Sequence, residues 1–209
     1  MNAEELIKNS LQELQKIGWE NESNSQDSKL IFPKYRNNKQ RISEEEARFL
    51  FVRELEKQDN FYYSVETPTK EAYKDFNSEE PKIGAGRSGS VDVTLYEKTE
   101  DKYCRKHLIE FKLGNVKTCK KDFLKLLCDD NECKVNYYIN ILENCDSGTI
   151  PNLEKDKFSK SIDYIFKKYS KKIKSNLKIF VCILNDILIT ENNIIEYQID
   201  NKNQSIKKR

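Results

Sequence analysis

Histidine is nearly missing: His107 is the only one among 209 residues. No second imidazole is available for a triad that uses two, or for a histidine-rich metal site. No run approaches the about 18 consecutive apolar positions that a membrane-spanning helix requires. Met1-Asn2-Ala3-Glu4-Glu5 offers neither the basic nor the apolar part of a secretory leader. The expectation is a cytoplasmic protein with no membrane partner. Glycine is scarce at six residues, which excludes collagen-like and glycine-rich repeats. No Cys-x-x-Cys occurs among Cys104, Cys119, Cys128, Cys133, Cys145 and Cys182, and their spacing follows no regular zinc or iron–sulfur pattern. Without a leader, the six read as reduced thiols rather than three disulfides. Neither charge sign dominates: 37 Lys and Arg against 35 Asp and Glu leave +2.

What is present suffices for one ordinary domain. Eleven Tyr, ten Phe and many Ile and Leu supply a core beneath a highly charged surface. Leu6, Ile7, Leu11, Leu14 and Ile17 recur at helical spacing, so residues 3–17 predict a helix ended by Gly18. Residues 20–28 hold no apolar side chain and read as a linker; with six acids and two lysines, the piece 1–28 is acidic. Ser43, with Glu46 three residues on, forms a capping box for a second helix running to about Lys57. Residues 61–67 predict a strand stopped by Pro68. Residues 70–89 look irregular, and Gly84-Ala85-Gly86-Arg87-Ser88-Gly89 lacks the Gly-Lys-Ser/Thr of a phosphate-binding loop.

Strands at 90–96 and 107–113 make a hairpin. A helix follows around Phe123, Leu126 and Leu127, and the spacing of Val135, Tyr138, Ile139, Leu142 and Cys145 predicts another over 134–145. Residues 156–173 form an amphipathic helix and 177–184 a buried strand; 187–190 and 194–199 read as a closing hairpin, and 201–209 as a loose basic tail. The order predicts an α/β domain with a mixed central sheet over residues 29–200.

The hairpin is the informative part. Side chains alternate along a strand, so Val91, Val93 and Leu95 are expected on one face with Asp92 on the other. Ile109, Phe111 and Leu113 likewise share a face, which turns Glu110 and Lys112 together to the opposite side. Acids are poor strand formers and costly to bury unpaired. A divalent cation is one reason to converge them, since Mg²⁺ takes hard oxygen ligands, commonly one or two carboxylates plus water and substrate phosphate.

Asp92, followed one strand later by Glu110-x-Lys112 and preceded by a glutamate-bearing helix, resembles the PD-(D/E)xK, or restriction-endonuclease-like, nuclease superfamily over roughly residues 41–184. The resemblance implies an αβββαβ core, here with an extra N-terminal helix, and Mg²⁺-dependent phosphodiester hydrolysis, with Mn²⁺ as a possible substitute. It implies Asp92, Glu110 and the Phe111 carbonyl as metal ligands and Lys112 as the group that orients or activates water. Val91 stands where the superfamily often has proline. The superfamily also carries a glutamate on its first helix. Among Glu44, Glu45 and Glu46, the apolar positions Ala47, Phe51, Val52 and Leu55 flank Glu44, whereas Glu46 points away and has a capping role. Glu44 is therefore preferred and Glu46 held in reserve. Small proteins of this kind often serve restriction or anti-phage defence.

Arg87 and Ser88 precede the aspartate strand, and Lys117, Lys120 and Lys121, with Lys125 behind them, open the next helix; these are the candidate phosphate contacts. Segments 105–125 and 154–175 each carry a charge of +5 inside a nearly neutral chain, which suits a polyanion; for 154–175 a solvated helix face is the preferred reading. The nuclease resemblance implies DNA ahead of RNA as that polyanion. Glu66 is either a further ligand or an exposed strand-end acid. Trp19, Tyr62 and Tyr63 are expected in the core, and His107 has no assigned role. A symmetric double-strand cut would need a homodimer, or else a partner protein. Two alternatives remain: a catalytically weak nuclease-like binding or regulatory module, and a cysteine-dependent redox or metal-cluster protein.

Overall fold

The structure, a computed structural model, describes residues 1–20, 28–75, 78, 80–84, 86–185, 194–200 and 205–208. The chain runs α1 (Ala3–Gln15), β1 (Gly18–Trp19), β2 (Ile31–Phe32), α2 (Glu44–Leu55), β3 (Tyr62–Lys74), β4 (Lys82–Ile83), β5 (Arg87–Lys98), β6 (Tyr103–Leu113), α3 (Lys120–Cys128) and β7 (Val135–Asn144). It continues through α4 (Thr149–Asn152), a π-helical stretch Leu153–Ser159, α5 (Lys160–Tyr169), β8 (Asn176–Asn185), β9 (Ile194–Asp200) and β10 (Ser205–Lys208). Eight strands form one mixed sheet in the order β10-β9-β8-β7-β6-β5-β3-β4. The pairs β6–β7 and β7–β8 are parallel, and the other neighbours antiparallel. The α/β class and the mixed sheet follow the expectation. No helix among the described residues is long and apolar enough to cross a membrane.

Two apolar layers sandwich the sheet. On one side α1 and α2 bury Leu6, Ile7, Leu11, Leu50 and Phe51 against Val93, Ile109, Phe111 and Ile139. On the other, α3 and α5 bury Phe123, Leu127, Ile162 and Ile165 against Leu108, Tyr138 and Ile179. The N-terminal helix is thus packed into the core despite its acidity. Its Glu4 side chain pairs with Lys8 and with Lys178 of β8.

Four expectations are corrected. Residues 134–145 form the central strand β7, not a helix. Their apolar residues fit a 3.6-residue period, but Asn136 to Leu142 are all buried, and a strand covered on both faces needs no alternation. Pro68 does not stop its strand: β3 continues to Lys74, with a register shift between Pro68 and Ala72. Edge position and a bulge are two settings where a strand accepts proline, and among the described residues β3 pairs with β4 at Tyr73 and Lys74 alone. Of the glycine-rich stretch, Arg87, Ser88 and Gly89 open β5 beside this sheet edge. A Cβ at Gly86 would fall 2.0 Å from the Tyr73 carbonyl oxygen, so close backbone approach explains that glycine. The basic tail supplies β10, paired with β9 from Ser205–Asp200 to Lys208–Tyr197. Residues 187–190 lie outside the described residues.

Asn136, fully buried on β7, ties three elements together. Its Oδ1 accepts from the Leu108 N–H at 2.8 Å and from Asn131, and its amide donates to the Leu126 carbonyl at 2.5 Å. Asn136→Leu strands these partners in a dry interior. We expect a loss of about 2–4 kcal/mol, measured by urea denaturation.

Candidate active site

The β5–β6 ladder runs from Lys98–Tyr103 to Val93–Ile109. Beyond it, Asp92 takes the place of a backbone partner: its Oδ2 accepts the Phe111 N–H at 2.7 Å. On the far side of β5, Val65 pairs with Val93 and Thr67 with Val91. Glu66, between them, has φ +48°, an uncommon conformation for a residue with a Cβ. The pleat breaks at this level. Val91 packs in the α3–α5 layer, whereas Val93 and Leu95 pack in the α1–α2 layer. The expectation that all three share a face is therefore wrong. Ile109, Phe111 and Leu113 do share one, against α1 and α2.

Around this break the carboxylates gather. Glu44, in the first turn of α2, lies 3.4 Å from Lys112 Nζ. Burial raises the Glu44 carboxyl above its ordinary range against the pull of Lys112, and Asp92 raises it further. Glu46 turns away as a cap, accepting from the Ser43 N–H at 2.9 Å and its hydroxyl at 2.5 Å. This geometry favours Glu44 over Glu46. Arg48, one helical turn beyond Glu44, donates to Glu45 and to Glu66, whose other oxygen accepts from Ser90. Glu44, Glu45, Arg48, Glu66, Asp92 and Phe111 line a cleft of about 80 Å³.

Lys112 is half-buried. Burial works against its charge, but Asp122, Asp92, Glu110 and Glu44 outweigh it and raise its pKa. The side chain is an ammonium and cannot itself accept a proton from water. Glu110 is 1% exposed and points to α3, where Lys125, 3% exposed, meets it. Lys125 Nζ also donates to the Ser90 carbonyl at 2.7 Å and lies 3.3 Å from Asp122 Oδ1. Burial raises the Glu110 carboxyl despite Lys125; burial would lower the Lys125 ammonium, but Glu110 and Asp122 raise it. With a protonated amine bonded to one oxygen, the ionised pair is the state this geometry favours.

Sequence reasoning missed this half of the site. Lys125 was expected on the substrate-facing surface and instead lies inside, and Asp122 drew no notice. The signal was their spacing, since an acid and a base at i, i+3 on the apolar side of a helix must meet a polar partner across it.

Among the described residues, no three His, Cys, Asp or Glu side chains stand close enough together to hold a metal ion. The oxygens present are still of the kind a hard cation takes, and Asp122 Oδ1 is buried without a hydrogen bond. The cysteines do not converge, and burial pushes the thiols of Cys119, Cys128 and Cys182 up to about 12, which makes them poor nucleophiles. A cysteine cluster is thereby set aside.

Lys117 and Lys120 join Lys157, Lys160, Thr118, Ser78 and Asp156 around a groove of about 480 Å³ between the start of α3 and the 149–169 helix. The two basic segments thus meet in space. Lys121 is part-exposed on the same helical turn. Within segment 105–125, Arg105 and Lys106 are occupied elsewhere, by Asp129 and by Glu97 with Glu132. Arg87 and Ser88 are exposed at the sheet edge opposite Tyr73 and Ala72. Ser88 is four residues from Asp92, about 13 Å along the strand. They do not join the carboxylates. Tyr62 and Tyr63 are exposed, not core, and line a second cleft with Phe61, Tyr96 and Tyr103. His107 is part-buried, with Nδ1 2.8 Å from the Val135 carbonyl.

No protein-family model matches the chain, and neither does any curated protein or solved structure. The site stands on its geometry.

Removing Lys125 leaves Glu110 buried without a partner. Lys125→Met is expected to lower stability by about 3–5 kcal/mol, and Lys125→Met with Glu110→Gln to recover much of it. Guanidinium melts of both variants at neutral pH, in EDTA, measure the difference.

Proposed function

We propose that this chain is a metal-dependent phosphodiesterase acting on nucleic acid, DNA ahead of RNA, built on a restriction-endonuclease-like core. The observation that carries the reading is the convergence of Glu44, Asp92, Glu110 and Lys112 from α2, β5 and β6. The element order α2-β3-β5-β6-α3-β7 supports it, being αβββαβ once the short β4 is set aside. The core then closes on β7, not on the 177–184 strand.

Six carboxylates, of Glu44, Glu45, Glu66, Asp92, Glu110 and Asp122, face three cations, of Arg48, Lys112 and Lys125. A phosphodiester cannot approach such a cluster unaided. Asp92 and Glu110, with the Phe111 carbonyl, would hold Mg²⁺ or Mn²⁺, as hard oxygen donors do. A metal held by these residues would polarise a phosphate oxygen and make a bound water more acidic. Lys112, permanently charged, stabilises the negative charge that develops at phosphorus. Glu44, beside Lys112 and with a raised carboxyl pKa, receives the proton of the attacking water. Lys117, Lys120 and Lys157 hold the backbone in the basic groove, where phosphate contacts position the strand without reading sequence. The Glu110–Lys125 pair also favours a second reading, a binding module whose site is locked.

The test is cleavage of supercoiled DNA, linear DNA and RNA with Mg²⁺, Mn²⁺ or EDTA. Metal-dependent cleavage is expected, and Asp92→Ala and Lys112→Met should each lower it at least about 100-fold. No cleavage by folded wild type on any substrate favours the binding module. The pH–rate profile should rise with pH through a carboxyl pKa above the ordinary glutamate range, because only ionised Glu44 accepts a proton. In Glu44→Gln the rate should be lower and that limb lost.

A further inference from the structure

We propose that Lys125 is the resident cation of this site: its ammonium sits among the oxygens of Glu110, Asp122 and Ser90, and a divalent metal takes that oxygen set, Glu110 Oε1 included, by displacing it. The inference rests on the metal-dependent reading above and concerns how the metal enters.

Lys125 Nζ has three N–H donors and three oxygen neighbours: Glu110 Oε1, the Ser90 carbonyl at 2.7 Å and Asp122 Oδ1 at 3.3 Å. Two carboxylates and a backbone carbonyl are also what a hard divalent cation collects. The ammonium therefore stands where ion ligands are already assembled. Asp122 Oδ1 is short of a hydrogen bond in this arrangement, so lysine satisfies the oxygen set incompletely. Lys125 holds Glu110 Oε1 in a site where the carboxylate is 1% exposed, so a metal that takes this oxygen set must displace the ammonium.

Exchange is chemically balanced. One charge of +1 leaves two buried carboxylates and one of +2 arrives, and no proton need move. The lysine stem is flexible, and the helix that carries it, α3, opens at Lys120, which lines the groove assigned to the substrate backbone. A displaced ammonium has a polyanion to meet there. Metal entry and substrate binding thus assist each other, and the free protein is guarded by its own side chain against holding a hydrolytic metal without substrate.

Two measurements test the displacement without reading activity. The first is Mn²⁺ affinity by calorimetry for wild type and Lys125→Met. The variant is expected to bind at least about tenfold more tightly, given the strength of a unit charge a few ångström away at protein-like dielectric. The second uses wild type alone: lysine acetylation read by peptide mass spectrometry, with and without saturating Mg²⁺. Lys125 should be protected without metal and labelled with it. If Lys125→Met does not fold, the labelling decides. Equal Mn²⁺ affinity, or Lys125 equally protected at saturating metal, overturns the displacement and leaves the metal-dependent reading standing. No metal binding by either protein overturns both.

Discussion

Glu110 sits in the middle of a strand buried on both faces, and a carboxylate there is several kcal/mol from tolerable unless a cation meets it. Much of the local architecture answers that demand. Helix α3 crosses one face of β6 so that Lys125 reaches Glu110, and Asp122, one turn earlier, shares the same ammonium. Lys112 emerges two residues along the strand and serves Glu44 at the rim. The charge arrangement is lopsided, acids exceeding cations, and that surplus is what a purely structural ion-pair network would avoid. It gives the cluster a use for one more positive charge, and hence a chemical identity beyond stability.

The geometry that exposes the cluster is a local failure of the sheet. Where the β5–β6 ladder stops, the Phe111 N–H has no strand partner, and Asp92 supplies an oxygen in its place. At the same level Glu66 adopts a positive φ and is held there by Arg48 and Ser90. A residue kept in a sparsely populated conformation by two polar partners marks a position where the surrounding structure over-determines the backbone. Both departures bring a side chain that regular pleating would send to one face into the seam between strands, where α2 overlooks it.

How far the sequence disclosed this depends on the kind of signal. Glu110 and Lys112 could be placed because an apolar strand interrupted by charge is visible in one dimension. Glu44 could be preferred over Glu46 because a capping glutamate has a fixed position relative to its serine. Asp92 could be singled out as a charge within an apolar strand, but the faces around it could not be read, since alternation assumes an unbroken pleat and nothing in Val91-Asp92-Val93 announces the break. The strand β7 was mistaken for a helix because full burial erases periodicity, the very feature used to separate the two. Lys125 was the costliest miss. In a chain with 37 basic residues, one lysine on an amphipathic helix looks like solvated surface. Only the packing of α3 against β6 shows that its stem lies inside.

The division between the acidic seam and the basic groove has a further consequence. Lys117, Lys120, Lys157 and Lys160 come from two segments far apart in sequence and meet beside the first turn of α3, the helix that carries Asp122 and Lys125. A polyanion held by the groove raises the local negative potential next to the seam, which draws cations toward it and an internal ammonium away from it. On the proposed reading, neither patch is a complete nucleic-acid site alone: the groove is lined mainly by lysines, and the seam repels phosphate. Sharing α3 makes each conditional on the other. On that reading, a nucleic-acid strand engaged in the groove gives the buried lysine a better place to go and the carboxylates a stronger claim on a metal.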